Sequence, residues 1–211
     1  NFLVAAADNV YGAEMRVNEN TQYVQILGQP QGAGQALETS VSSVAVDDDG
    51  DYVVVWTSFG QDDPTDPNGA GVFMRIYDRN NVPRTGEIRV NNIIAGDQRN
   101  ASVAIDADGD IVVVWESMSD NGTWDVYAQR FDAAGNRIAN TRDSRIAKDP
   151  NRYVPGTEHI EVLVNSTTNG EQFNPSVSTD AFGNFVVVWG SAGSSFGYFN
   201  NVNAQLFDYK G

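Results

Sequence analysis

The chain contains no cysteine and a single histidine, His159. The first absence excludes a disulfide framework, a thiolate zinc cage and thiol chemistry. The second removes most imidazole-based catalysis and metal ligation. Basic residues are scarce: 13 Lys and Arg stand against 28 Asp and Glu, for a formal net charge of −15. Such a balance lacks the basic footprint that nucleic acid or anionic lipid requires. It favours solubility, repulsion between free chains, and divalent cations as partners. No apolar run approaches the ~20 residues of a membrane-spanning helix. No segment sustains a 3.6-residue period with caps, so helices are not expected. What remains is a turn-rich, aromatic β composition, with 20 Gly, 8 Tyr and 4 Trp in 211 residues.

Internal repetition dominates the sequence. Three segments align without gaps: SVAVDDDGDYVVVW ending at Trp56, SVAIDADGDIVVVW ending at Trp115, and SVSTDAFGNFVVVW ending at Trp189. A second piece follows each one: VFMRIYD ending at Asp78, VYAQRFD ending at Asp132, and VNAQLFD ending at Asp208. A third piece also occurs three times, as EMRVN from Glu14, EIRVN from Glu87 and EVLVN from Glu161. Ser-Val-Ala-Val alternates as a short strand, and Asp-x-Asp-Gly-Asp is a tight turn with Gly where φ is positive. Tyr52 to Trp56 and its two counterparts are apolar on both faces, the mark of a central covered strand. The Glu-x-x-Val-Asn pieces read as outer strands. Each repeat is therefore a four-stranded antiparallel meander A-B-C-D, and radial stacking of such meanders makes a β-propeller.

The expected fold is all-β and β-propeller-like, with three four-stranded antiparallel blades in circularly permuted order, D-ABCD-ABCD-ABC. One repeat domain fills residues 1–211. It divides into a leader, strand and linker (1–39), a first repeat (40–92), a second (99–166), and a third lacking its last strand (173–211). Insertion loops are expected at 61–69 and 140–156. The chain starts at Asn1 rather than Met, which leads one to expect a removed export signal. The strand order leaves one sheet edge open at the carboxyl end and a spare outer strand at residues 14–18. Exposed edges template pairing. Three resolutions follow: closure within one chain, completion between chains by donor-strand addition, and truncation of a longer array. The residues expected at an interface are Phe2, Leu3, Val4, Met15, Val17 and Leu206.

The run from Asp106 to Ser117, DADGDIVVVWES, followed by VYAQRFDAAGN from Val126 to Asn136, resembles repeats of large bacterial secreted and surface proteins. In those proteins the repeats accompany calcium-binding and adhesion modules and look propeller-like. The resemblance covers roughly residues 40–211 and the strand at 14–18, and it implies export and a structural or adhesive role. The third copy departs from the pattern at Phe182 and Asn184.

Several residues carry possible chemistry. Asp47, Asp49 and Asp51, and likewise Asp106, Asp108 and Asp110, mimic the alternating ligands of calcium loops, but Phe59 and Met118 replace the closing Glu. The plain hairpin turn is the favoured reading of the same residues, because the third copy keeps Gly183 but loses two carboxylates, and the loop Asp62, Asp63, Asp66 is a weaker calcium candidate. Calcium is thus the one cofactor to consider. Asn100, Asn121 and Asn165 begin glycan-acceptor sequons in what reads as surface-turn context. Glu116 and Glu158 are the only glycosidase-like carboxylates, and neither has an evident partner. Glu116 is read as a solvated edge carboxylate. Trp56, Trp115 and Trp189 share one repeat phase and read as core. Trp124 lies outside it and is the candidate platform for sugar stacking.

The expectation is a non-enzymatic, extracellular or cell-surface structural subunit that forms a homopolymeric fibre or surface assembly by inter-subunit strand completion. The alternatives are a monomeric adhesive or carbohydrate-binding propeller with glycans as partners, and a glycan-active enzyme.

Overall fold

The computed structural model describes residues 14–27, 42–138, 161–193 and 201–211. The expected interface residues Phe2, Leu3 and Val4, the carboxylate Glu158 with His159, and the insertion at 140–156 lie outside these residues. Three antiparallel sheets make up the described structure, and no helix occurs among the described residues. None is therefore long and apolar enough to cross a membrane there.

Sheet 1 comprises β1 (Gln25–Ile26), β2 (Val44–Val46), β3 (Tyr52–Phe59), β4 (Ala70–Tyr77) and β5 (Ile88–Arg89). Both β1 and β2 pair with β3, through Gln25 opposite Ser58 and Val44 opposite Val54. They are two halves of one A strand, parted by the intervening segment. The linker read within residues 1–39 thus contributes a strand, β1. Sheet 2 comprises β6 (Gln98–Ile105), β7 (Ile111–Met118), β8 (Trp124–Phe131), β9 (Arg137–Ile138) and β10 (Glu161–Leu163). Here the outer strand is the split one, with β9 and β10 both on β8. Sheet 3 has three strands, β11 (Glu171–Thr179), β12 (Phe185–Ala192) and β13 (Asn201–Phe207), in that order. The meander read from the repeats is present, and the second outer-strand piece joins its sheet as read.

Each A–B hairpin closes through the same turn. Gly50, Gly109 and Gly183 take φ of 84°, 85° and 78°, a left-handed conformation that glycine adopts without the Cβ penalty. The A strands of sheets 2 and 3 carry a bulge, between Arg99 and Ser102 and between Phe173 and Ser176. Asn100 and Asn174 occupy these bulges with φ of 56° and 51°. Asparagine tolerates that region better than other residues with side chains.

The sheets pack face on face. Val53, Val55, Val72, Met74 and Ile76 of sheet 1 meet Trp115, Tyr127, Ile111, Val113 and Phe131 of sheet 2. On its other face sheet 2 offers Val112, Val114, Val126 and Ala128 to Phe185, Val187 and Trp189 of sheet 3. The pleat puts alternate residues on opposite faces, so a strand between two sheets is apolar throughout. That holds for β7, buried from Ile111 to Ser117, whereas β3 and β12 have one face more open. All three in-phase tryptophans are buried, as their spacing predicts.

Candidate assembly interface

Neighbouring sheets are joined by carboxylates that accept backbone N–H groups, and the joints recur at equivalent positions. Asp97, just before β6, accepts from Ala70 N–H at the start of β4 (3.1 Å), and Glu171 accepts from Trp124 N–H at the start of β8 (2.9 Å). Glu161, opening the outer strand of sheet 2, accepts from Asn92 and Ile93 N–H, the two residues after the outer strand of sheet 1. Hydrogen bonds to an ionised acceptor are the stronger kind, and each of these spans two sheets.

Glu87 holds the same place in sheet 1, and it accepts from Glu19 and Asn20 N–H, the two residues after the segment 14–18. Residues 14–18 therefore lie against sheet 1 as the outer strand of sheet 1 lies against sheet 2. Arg75 and Tyr77 donate to the Val17 carbonyl (3.0 and 2.9 Å), and Arg75 is ion-paired with Glu19. Met15 contacts the Tyr52 hydroxyl, and Met15 and Val17 are half-buried. The segment covers the Trp56 face of sheet 1 and does not join sheet 3. Closure within one chain is thus not formed among the described residues, where β13 keeps an unpaired outer edge. A cleft of about 260 Å³ lies between this segment, Gln25–Leu27 and Trp56. Gln25 Oε1 and Trp56 Nε1 are both buried there without hydrogen-bond partners. In sheet 3 the equivalent pair is joined, Trp189 Nε1 donating to Gln172 Oε1 at 2.9 Å.

At the opposite end of the stack the outer face of sheet 3 exposes Val188 (38%), Val202 (86%) and Leu206 (74%). By strand register these are the counterparts of Val55, Val72 and Ile76, which sheet 2 covers in sheet 1. Of the interface candidates among the described residues, Met15, Val17 and Leu206, it is Leu206 that is exposed.

The remaining candidates are placed as follows. Asp47 Oδ1 accepts from Asp49 and Asp51 N–H, and Asp106 Oδ1 from Asp108 and Asp110 N–H. Asp180 does the same for Phe182 and Asn184, where two carboxylates are missing. The leading Asp of each turn thus serves the hairpin itself. Asp51 further accepts from Arg79 N–H and pairs with Arg84. Among the described residues no three or more His, Cys, Asp or Glu are arranged to hold a metal ion.

Two sequons are corrected. Asn100 and Asn165 are only 1% exposed, not in surface turns. Asn100 Nδ2 donates to Glu116 and Asn174, and Asn165 Nδ2 to Asp125 and the Thr167 carbonyl. Asn121 alone is exposed. Glu116 is also corrected, from a solvated edge to complete burial. It accepts from Arg99 Nε (3.1 Å), Asn100 Nδ2 (2.8 Å) and Asn174 N–H (2.7 Å), fastening the bulge of sheet 2 to that of sheet 3. Trp124 is half-buried, and the Arg99 guanidinium lies 3.8 Å from its ring centre, so one face of the ring is already taken by a cation.

Turn hydrogen bonds and burial move the aspartates apart. The Asn136 and Asn184 amides, with turn N–H groups, hold the Asp132 and Asp180 carboxyls below the usual range. Burial, then repulsion from Asp106, pushes Asp110 above it. Folding favours the ionised form of the first two, so their contribution is present above the unfolded-state value and lost as pH falls through the folded one. Asp110 behaves oppositely: its penalty at neutral pH is relieved as pH falls through its raised folded value. Carboxyl-detected NMR titration is expected to show Asp132 and Asp180 titrating below a free aspartate and Asp110 above it. Peptide-like titration of all three would mean that the turns are not formed.

No family model and no curated protein matches the chain. Among solved structures, one described as an unknown function protein from Dyadobacter fermentans DSM 18053 is similar at 12% identity and a TM-score of 0.26. The match covers 72% of this chain and 49% of that one, so the chain spans about half the length of that protein.

Proposed function

We propose that the chain is a non-catalytic structural subunit of an extracellular or cell-surface assembly, its three sheets serving as consecutive blades of a propeller-like stack completed between subunits. One observation carries this reading: residues 14–18 lie on sheet 1 where the outer strand of a preceding sheet would lie, while among the described residues β13 keeps an open outer edge. An extended segment with outer-strand sequence at one end and, among the described residues, a sheet without an outer strand at the other are complementary surfaces. A contact of that kind is heterologous and propagates as a fibre unless it closes on itself. The resemblance to bacterial surface-protein repeats supports export. Glu116 supports a non-catalytic role, because its carboxylate is buried and engaged by three donors.

Sedimentation and electron microscopy of the purified protein test the proposal. Linear or ring-shaped particles heavier than the 22.9 kDa chain are expected, growing with concentration. A single 22.9 kDa species at millimolar concentration would sink it.

A further inference from the structure

We infer that the strand completing sheet 3 is the 14–18 segment of a second copy of this chain, bound to β13 in one definite register with Met15 opposite Ala204. This rests on the assembly reading above and adds the partner and the pairing.

The register follows from contacts made twice within the chain. Ile88 pairs with Met74 in sheet 1, and Val162 with Ala128 in sheet 2. Their counterparts are Met15 and Ala204. Glu161 pairs with Gln129, which sets Glu14 against Gln205. Val90 N–H donates to the Val72 carbonyl and Val164 N–H to the Val126 carbonyl, each at 2.8 Å. Asn91 Oδ1 accepts from Val72 N–H (2.9 Å), and Asn165 Oδ1 from Val126 N–H (2.7 Å). These asparagines also donate Nδ2 to the carbonyl two residues on, at 2.9 and 3.0 Å.

Asn18 already makes that last bond, to the Asn20 carbonyl, but among the described residues no N–H reaches its Oδ1. Its side chain is thus held in the conformation that receives a C-strand N–H in the other two sheets. In the joined pair, Val17 N–H donates to the Val202 carbonyl and Val202 N–H to Asn18 Oδ1. The same docking lays the Trp56 face of one copy over Val188, Val202 and Leu206 of the other. That repeats the contact already made between sheets 1 and 2 and between sheets 2 and 3. A second copy fits because its own sequence carries both the strand and the covering face.

The absence of native cysteine permits a clean test. Chains carrying Met15→Cys and, separately, Ala204→Cys are mixed and mildly oxidised, one of them isotope-labelled. Opposed residues of antiparallel strands lie ~4.5–5.5 Å apart between Cα atoms, within disulfide reach. A disulfide heterodimer is expected, at least about tenfold above the Met15→Cys and Asn203→Cys mixture, since a one-residue step points to the opposite face. Glu14→Cys with Gln205→Cys is the second pair, in case the first perturbs folding. If the unmodified protein sediments as an assembly but neither pair crosslinks, the register is wrong and the assembly reading stands. If the protein is monomeric and neither pair crosslinks, both fall. A disulfide formed within single Met15→Cys/Ala204→Cys chains of monomeric mass would mean self-closure and overturn the second-copy partner.

Discussion

Replacing Glu116 by alanine is expected to destabilise the chain by about 3 kcal/mol, the lower end for breaking a buried ion pair. The side chain is fully buried and is the acceptor for three donors from two sheets. Arg99 suffers least from the loss, because it is partly exposed and stacked on Trp124. Asn100 Nδ2 keeps its second acceptor, Asn174 Oδ1. The Asn174 N–H, in a left-handed bulge, loses a charged acceptor, and an unmet buried donor costs about 1–3 kcal/mol. Glu116→Gln keeps the shape and one acceptor oxygen but turns an amide N–H₂ towards Arg99 or Asn174, so an intermediate loss is expected. Urea unfolding gives the magnitude, and hydrogen exchange gives the place: the Asn174 amide and β11 should lose protection before β7. A loss under about 0.5 kcal/mol, the usual range for a surface substitution, would return Glu116 to the solvated edge that its sequence context suggests.

That context shows why the sequence was informative about the sheets and silent about their joints. Three gapless copies with tryptophan in one phase specify strands, turns and core together, because period-2 patterning and turn glycines act over a few residues. The burial of Trp56, Trp115 and Trp189 was legible for that reason. Glu116 was not, since Thr57 and Gly190 hold its place in the other repeats and its partner Asn174 is 58 residues away. The sequons at Asn100 and Asn165 misled because three residues carry no information about burial. Asn165 was legible in another way, as the third member of a series with Asn18 and Asn91. The split A strand is not legible because the stretch after Ile26 breaks the alternation that would link Gln25 to Val44. The Glu14, Glu87, Glu161 series was visible as repetition, but a polar residue opening an outer strand reads as solvated. Only the stacking places Glu87 and Glu161 under the next backbone.

Alanine in place of each in-phase tryptophan is expected to separate the ends of the stack from its middle. Trp115 is 1% exposed and wedged between sheets 1 and 2, stacked on Tyr127. Its removal should cost about 3–5 kcal/mol, the range for deleting a large buried aromatic. Trp56 stacks on Phe73 in the same way, but its other flank is the open cleft and its indole N–H has no partner. In dilute solution Trp56→Ala should therefore cost clearly less than Trp115→Ala, because fewer dispersion contacts are lost where one side is unfilled. Raising the concentration should reverse the ranking of their effects on particle size. The Trp115 variant, once refolded at low temperature, still presents both joining surfaces. The Trp56 variant has lost the centre of one, and truncating a central aromatic typically costs an interface about 2 kcal/mol or more. Chemical denaturation at micromolar concentration and sedimentation across a concentration series measure the two halves. Equal losses for Trp56 and Trp115 in the dilute chain would mean that the first sheet is already covered as fully as the second. A single molecule would then need no neighbour at that end.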